Sequence, residues 1–437
     1  MEYPKTGFRR IPFSRPGNTP GREGRAAVWA ARPAALGIAL FACLVSGQAG
    51  SSLAAGPVVD HSAIEREIGL AGRGRAAPPA HPQRRGLIPP ALPPGVDLSR
   101  SPEVPLADGL VFVTSISEER GDYEAVRRVT KGQDRMFVSY SATIAFEGRP
   151  TEVRGNRVVL DKDRRSGRIY RVAFLVTPVD QPARPPELAR GTTALGVSTE
   201  VFEELRTEGR TECSLAAFEQ TGFMFSGLGL PSPEYEGFLE RVEPGPVGVP
   251  MLLDGERQWL RSIHAKGTFE GLTGDVEAEF WILDNPDNPL ALRFSVGSAT
   301  LLVTRIDRPA AAGSSRLERS LAEQESVDLP GVYFEFASAR LRPESDAAIA
   351  EVSDLLKRHL DWRLRIEGHT DNIGGADSNL TLSRQRAEAV KAEIVARLGG
   401  GAERLDTGGA GAGQPRESNE TPEGRARNRR VEIERIR

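Results

Sequence analysis

The stretch WRLRIEGHTDNIGG, residues 362–375, decides the fold of the C-terminal part of this 437-residue chain. Trp362, Leu364 and Ile366 alternate with charged residues, as in a strand that buries one face. The alternation stops at Gly368, where polar residues and a pair of glycines follow. The pattern therefore predicts a strand that ends at this point and runs into a polar turn.

Predicted strands and helices alternate along the chain on either side of this strand. Before it, GVYFEF predicts a strand with Val332, Phe334 and Phe336 on one face. The other segments are a helix at 342–360 with Pro343 in its first turn, a helix at 382–401 with Ser383 as its cap, and a closing strand at 429–436. This order predicts an α/β domain over residues 328–437, with two helices on one face of a small mixed sheet.

The charges near the second helix suggest a binding site. Arg384 and Arg386 fall in its predicted opening turn, where free N–H groups and the helix dipole already supply positive charge. Cations at such a place favour an anion, because N–H groups and a guanidinium act together on a carboxylate or phosphate. Asp371 ends the preceding strand, and the connection can fold back toward Arg386. An acid and a base on either side of one cleft would recognise a zwitterion, such as a free amino acid centre.

Other interpretations of these residues stay open from the residues alone. Asp371 is otherwise a turn cap, and Arg386 a solvated helix residue, as Arg384 is expected to be. His369, Asp371 and Ser383 resemble a catalytic triad in composition, but a His and an Asp two positions apart on a strand lack the separate orienting geometry of a triad. His264 has no companion ligands for zinc. We expect neither catalysis nor a metal site, and no cofactor is implied.

Two longer stretches carry a family resemblance. GHTDNIGGADSNLTLSRQRAEAV (368–390) and GAGAGQPRESNETPEGRARNRRVEI (409–433) resemble the OmpA-like C-terminal domain, a peptidoglycan-associating module of Gram-negative envelope proteins. The resemblance implies noncovalent binding of peptidoglycan at the diaminopimelate residue of its stem peptide. By this resemblance Asp371 would take the ammonium of the diaminopimelate centre and Arg386 its carboxylate. The residues that would shape the surrounding loop and helix start are Thr370, Asn379 and Leu382.

The family pattern and this sequence differ at one position near the site. Most family members carry an aromatic residue where His369 stands, and we expect little effect on the bound centre. Asn428 is expected to be a structural turn residue. The basic run formed by Arg425, Arg427, Arg429 and Arg430 is expected to be a solvated face that adds at most a weak, salt-dependent attraction to the wall polymer.

The N-terminal part predicts export. Residues 1–55 combine a basic segment, an apolar run and a small-residue stretch, the order of a secretory signal. The apolar run is shorter than the roughly 18 residues of a membrane-spanning helix. We therefore expect a protein of the periplasm or outer membrane, with a retained N-terminal anchor as the alternative. Cys43 is either removed with the signal or lipidated, and residues 56–104, rich in Pro, Ala and Arg, predict a disordered spacer.

Residues 105–307 predict a mainly antiparallel β domain, with a sandwich as one arrangement, and residues 308–327 a short linker. Within it, STEVFEELRTEG (198–209) predicts a helix that starts at a Ser cap. No motif in this domain indicates a catalytic or binding site. The formal net charge of −3 gives no indication of a nucleic-acid partner.

These patterns together predict a cell-envelope protein that tethers a β-rich domain or the outer membrane to the cell wall. One alternative is a motor stator of the MotB kind, which needs a spanning helix with an ionisable residue; the segment 34–46 has no such residue. Another is an adhesin or assembly factor whose β domain carries the main activity. The oligomeric state and the role of the β domain are left open by the sequence.

Overall fold

Most of the chain after the predicted signal and spacer is described by the computed structural model. It covers residues 87–436 apart from 119–120, 147–148, 172, 217–233, 272–273, 310–315 and 324–325. The predicted signal (1–55) and most of the predicted spacer lie outside the described residues. Among the helices of the described residues, none combines the length and the apolar character needed to cross a membrane.

Fifteen strands of the described residues before 308 form one sheet. Its longest neighbouring strands pair antiparallel, so the mainly β character of this region is confirmed. The strands are β1 Val111–Glu118, β2 Gly121–Lys131, β3 Arg135–Phe146, β4 Arg149–Leu160, β5 Ile169–Tyr170, β6 Thr177–Pro178, β7 Glu187–Leu188, β8 Thr192–Thr193, β9 Arg210–Ala216, β10 Glu234–Arg241, β11 Val247–Leu253, β12 Glu256–Glu270, β13 Val276–Leu283, β14 Ala291–Val296 and β15 Ala299–Asp307.

The strand order places β1 and β2 in the middle of this sheet. The order is β6-β4-β3-β2-β1-β15-β14-β13-β12-β10-β9-β5-β8, with β7 beside β4 and with β11 beside both β12 and β15. Alternate residues of β1, such as Phe112 and Ile116, enter two apolar cores of the β region. The opposite face of β1 is therefore available to another part of the chain. The sandwich arrangement stays a prediction.

Among its described residues the β region has two α-helices, α1 (Asp161–Ser166) and α2 (Thr199–Thr207). The helix predicted at 198–209 is confirmed: the Ser198 hydroxyl accepts a hydrogen bond from the Val201 N–H at 3.3 Å and caps α2. Cys213 is buried in the same core, and burial raises the pKa of its thiol to about 12. Cys213 therefore acts as a small apolar core residue.

The ranges predicted for both linkers include residues that are packed into folded parts of the chain. Residues 87–104 were expected to be a disordered spacer, but Leu87 and Val104 are buried against the β region, and Arg293 Nη1 donates to the Leu87 carbonyl at 3.1 Å. Within the predicted linker 308–327, α3 (Arg316–Ala322) buries Leu317 and Leu321 in the C-terminal core. In both places apolar side chains are buried in a nearby core. The free energy gained by that burial outweighs the loop-like composition of the segments.

The C-terminal domain has a four-stranded mixed sheet. Its elements are β16 Val327–Asp328, α4 Asp346–Arg358, β17 Arg363–His369, α5 Ala376–Leu398, β18 Leu405–Gly411, α6 Pro422–Asn428 and β19 Val431–Ile436. The order is β16-β19-β17-β18, with β17 parallel to β18 and antiparallel to β19. Apolar residues of the predicted helices and strands are buried in one core, at Ile349, Val352, Leu356, Leu364, Ile366, Ala387, Val390, Ile394, Val431 and Ile433.

Three predictions within this domain are wrong. Residues 331–336 form no strand; a single bridge joins Phe334 to Leu341, and the Phe336 side chain is 63% exposed. Strand β18 and helix α6 were not predicted, and β18 (LDTGGAG) is rich in glycine and shows no apolar alternation. The second helix begins at Ala376 instead of near Ser383.

The C-terminal domain packs directly on the β region. Tyr333 lies in a small apolar cluster with Val111, Val113 and Val126, and its hydroxyl donates to Asp307 Oδ2. Contacts of this kind fix the orientation of the C-terminal domain, which matters for the site described next.

Candidate functional site

The candidate site lies where β17 meets α5. Asp371 lies two residues after the end of β17 and is buried. Its Oδ1 accepts a hydrogen bond from the Ile373 N–H at 3.0 Å, and its Oδ2 pairs with Arg429 Nη1 at 2.5 Å. The sequence analysis paired Asp371 with Arg386; the structure places Arg429 in direct contact with the carboxylate.

Asn379 holds the turn that carries Asp371. The side-chain amide of this buried residue donates to the carbonyls of Asp371 at 3.2 Å and Ile373 at 3.1 Å. Gly374, with a φ of 97°, supplies the left-handed backbone that the turn needs. The turn is therefore fixed from the first turn of α5, in the way expected for a residue that shapes the loop.

A cavity of about 1550 Å³ opens beside this turn. Thr370 and Leu382 both line it, as do Asp371 and Arg386. The Thr370 N–H donates to the Gly411 carbonyl at 2.9 Å, but its buried hydroxyl has no hydrogen-bond partner within the described part of the chain. All the residues that the resemblance placed at the site thus lie around one turn and one cavity.

Arg386 is buried beside the cavity. Its Nε donates to the Ser338 carbonyl at 3.0 Å, and its guanidinium lies 4.8 Å from the centroid of the Phe334 ring. No carboxylate within the described ranges forms an ion pair with it. Burial, with a smaller contribution from the nearby positive Arg429, lowers the pKa of Arg386 to about 10, so the side chain is charged at neutral pH.

The dipole argument that drew attention to Arg386 is wrong. Because α5 begins at Ala376, Arg384 and Arg386 lie more than two turns into the helix, outside the reach of its N-terminal N–H groups. Arg384 is exposed, as expected. What distinguishes Arg386 is its burial, not its position along the helix.

A triad of His369, Asp371 and Ser383 is not assembled. The Ser383 hydroxyl donates to the Leu380 carbonyl and accepts from the Gly411 N–H, at 2.8 and 3.0 Å. Neither ring nitrogen of His369 has a hydrogen-bond partner among the residues the structure describes. The His369 Nε2 atom lies 3.5 Å from Glu432 Oε1 and Asp371 pairs with Arg429, so the hydrogen bonds of a triad are not formed among the described residues.

The basic run near the C-terminus is not a solvated face. Arg429 and Arg430 form ion pairs with Asp371 and Glu432, and Arg427 donates to the Gly255 carbonyl of the β region. Asn428 is fully buried and its Oδ1 accepts from the N–H groups of residues 416 and 417, so its structural role is confirmed.

Sequence reasoning missed two residues at the site. Arg429 was assigned to solvent because runs of arginine are usually solvated, although it sits in the quoted NRRVEI motif. Glu124 of β2, whose carboxylate pairs with the other end of the Arg429 guanidinium, lies 305 positions away in the sequence. No local pattern signals a contact across that separation.

Close packing of β17 on α5 supports the site and can be tested. A Cβ atom on Gly368 would lie 2.1 Å from the Ser383 carbonyl oxygen, so Gly368→Ala must push α5 away from β17. We expect a loss of about 1–3 kcal/mol in the free energy of unfolding, measured in urea. Gly245→Ala, at a position with open space around it, is the control. Equal stability of the two variants would refute the packing argument.

His369 makes stability depend on pH. Burial, together with the positive Arg430, lowers the pKa of His369 to about 4 from an ordinary 6.5. Below pH 6.5 His369 is protonated in the unfolded chain but stays neutral in the folded chain down to about pH 4. The free energy of unfolding therefore falls by about 2–3 kcal/mol between about pH 6.5 and 4. His369→Phe removes the group, and its urea-unfolding free energy should lose this part of the pH dependence. An identical pH profile for the two proteins would contradict the assignment.

Comparison with known proteins identifies a family for the C-terminal domain. Residues 333–429 match the OmpA family, and no family matches the region before them. The chain is 40% identical over 102 residues to the probable lipoprotein YiaD of Escherichia coli, 46% over 95 residues to the peptidoglycan-binding protein ArfA of Mycobacterium bovis, and 37% over 115 residues to outer membrane porin F of Pseudomonas aeruginosa. These matches cover 23%, 22% and 26% of this chain, and 46%, 29% and 33% of the relatives.

Proposed function

We propose that the C-terminal domain binds peptidoglycan noncovalently, at the diaminopimelate residue of the stem peptide, and so tethers the β region to the cell wall. The observation that carries this proposal is Arg386, a buried guanidinium that borders the cavity. It has no carboxylate partner in the described part of the chain. Burial of a charge that forms no direct ion pair among the described residues costs several kcal/mol, and a ligand carboxylate would offset that cost.

Asp371 would bind the ammonium, the second charged group of the diaminopimelate centre. A carboxylate accepts about four hydrogen bonds, so Asp371 keeps acceptor capacity beyond its contacts to Ile373 and Arg429. The ammonium of the diaminopimelate centre would bind there while its carboxylate binds Arg386. Thr370 offers an unpaired hydroxyl to the same ligand, Asn379 holds the turn, and Leu382 borders the bound centre. The site binds and does no chemistry.

The names of the relatives support this assignment. One of them is called a peptidoglycan-binding protein and another an outer membrane porin. We accordingly assign the chain to the cell envelope, with the C-terminal domain in the periplasm. The activity of the whole protein includes the β region, which these relatives do not match.

Co-sedimentation with isolated sacculi tests the proposal. The full chain is expected to pellet with sacculi whose stem peptides carry diaminopimelate, and free diaminopimelate should release it. Sacculi with lysine at the same position are the control, because lysine lacks the second carboxylate that Arg386 would bind. Equal pelleting with the two kinds of sacculi would refute the proposal.

A further inference from the structure

Part of the wall of the binding cavity belongs to the β region. Strands β1, β2 and β15 contribute residues to the same cavity that Asp371 and Arg386 line. The site is therefore composite, although the family match covers only the C-terminal domain.

Strand alternation explains which residues reach the cavity. On β2, Ala125 enters the β core, so its neighbours Glu124 and Val126 point to the other face. In the antiparallel register, Ser115 of β1 stands opposite Glu124, and Val113 stands opposite Val126. All four line the cavity. A strip of the sheet surface thus faces the site, and Glu124 is its charged member closest to Arg429.

The position of this strip is fixed by contacts on more than one side of the cavity. Arg293 of β14 forms a buried ion pair with Glu423 of α6. On another side, Arg342 pairs with Glu152 of β4. Two buried ion pairs and the Tyr333 cluster hold the β region against the C-terminal domain, so Glu124 is a permanent part of the wall.

Charges of alternating sign run across the boundary between the two parts. Arg429 donates to Asp371 with one nitrogen of its guanidinium and to Glu124 with another. Burial acts to lower the pKa of Arg429, but the two carboxylates outweigh it and raise the pKa. Arg386 lies close enough for Glu124 and Asp371 to act on its pKa as well, against the effect of burial. Two positive and two negative groups therefore share the site.

This balance decides what the site can bind. With Glu124 present, Arg429 has a carboxylate of its own, and the negative charge of Asp371 remains available to an ammonium. Without Glu124, two arginines would share one carboxylate. The site would then carry a net positive charge that favours plain anions and repels an ammonium.

We propose that Glu124 of the β region is a specificity-determining residue, which neutralises Arg429 so that the cavity accepts a zwitterion in preference to a simple carboxylate. The inference rests on the proposed function, since diaminopimelate is the zwitterion in question. It gives the β region a direct part in ligand selection.

Calorimetric titration of the full chain with two ligands tests this role. The ligands are diaminopimelate and pimelate, which is the same diacid without its two amino groups. Glu124→Gln keeps the shape of the side chain and removes its charge. We expect it to weaken diaminopimelate binding about tenfold and to leave pimelate binding within about twofold of the wild type, or stronger. Glu124→Asp keeps the charge and should retain the preference for diaminopimelate.

The outcomes separate the two proposals. Glu212→Gln, at an exposed glutamate of β9, is the control and should change neither affinity. Equal weakening of both ligands by Glu124→Gln, or no weakening of either, would overturn the role of Glu124 and leave the proposed function in place. Failure of the wild-type chain to bind diaminopimelate would overturn the proposed function and this inference with it. Should Glu124→Gln fail to fold, loss of the preference in Glu124→Asp would overturn the inference.

Discussion

Replacing Arg386 with alanine is expected to abolish co-sedimentation of the chain with diaminopimelate-type sacculi. The guanidinium is buried beside the cavity and its ligand carboxylate would be desolvated with it, so removing one partner costs about 2–5 kcal/mol of binding free energy. That corresponds to a loss of about 30-fold or more in affinity. Asp371→Asn, which keeps the size of the side chain, should act in the same direction through loss of the ammonium contact.

Arg384 provides the matched control for this experiment. It lies two positions away on α5, is exposed and carries the same charge, so Arg384→Ala should keep wild-type binding. Melting temperatures of all three variants show whether each is folded. Binding by a folded Arg386→Ala variant at the wild-type level would remove the basis of the site assignment.

Replacing Glu423 with alanine is expected to destabilise the chain by about 3–5 kcal/mol. The Glu423 carboxylate pairs with Arg293, and both side chains are buried. Burial lowers the pKa of Arg293 and the Glu423 carboxylate partly offsets that effect, so the variant removes the carboxylate that compensates for burial of this guanidinium. Urea unfolding of the full chain measures the loss.

A second ion pair between the same two parts of the chain serves as the control. Arg257 pairs with Glu417 at 2.7 Å, but the Arg257 side chain is 42% exposed. Glu417→Ala should therefore cost less than about 1 kcal/mol. The double variant Arg293→Met, Glu423→Leu removes both buried charges and should recover much of the stability lost in Glu423→Ala. Equal costs for the two glutamates would mean that burial of the Arg293 pair is not what holds the parts together.

The local patterns predicted the elements whose apolar period is regular. Alternation in WRLRIEG predicted β17, and the helix predicted at 382–401 covers most of α5. The charge pattern and the family motif together placed Asp371, Asn379 and Arg386 around one turn. Each of these depends on residues within one element or its neighbour, which is the range over which sequence periodicity carries information.

The start of α5 could not be predicted in the same way. Residues 376–382 include Asp, Ser, Asn and Thr, which compete with helices by bonding to nearby backbone and so favour loops. In the structure Asn379 instead bonds to the preceding turn, and the tertiary contacts of the helix extend it to Ala376. The missed strand β18 has a different cause, since its glycines have no side chains to show a pattern.

The site features that were not predicted depend on contacts between distant parts of the chain. The ion pairs Arg429–Glu124 and Arg293–Glu423 join residues 305 and 130 positions apart. Neither glutamate carries a local signal, because a single acid on a strand or helix is usually solvated. The composite character of the site therefore becomes apparent only in three dimensions.

The structure of the full chain with bound diaminopimelate is the most direct test of the zwitterion site. We predict that a carboxylate of the ligand contacts the Arg386 guanidinium, that the ammonium on the same carbon contacts Asp371, and that Glu124 remains paired with Arg429. A ligand bound away from the cavity, or one whose carboxylate avoids Arg386, would contradict the account.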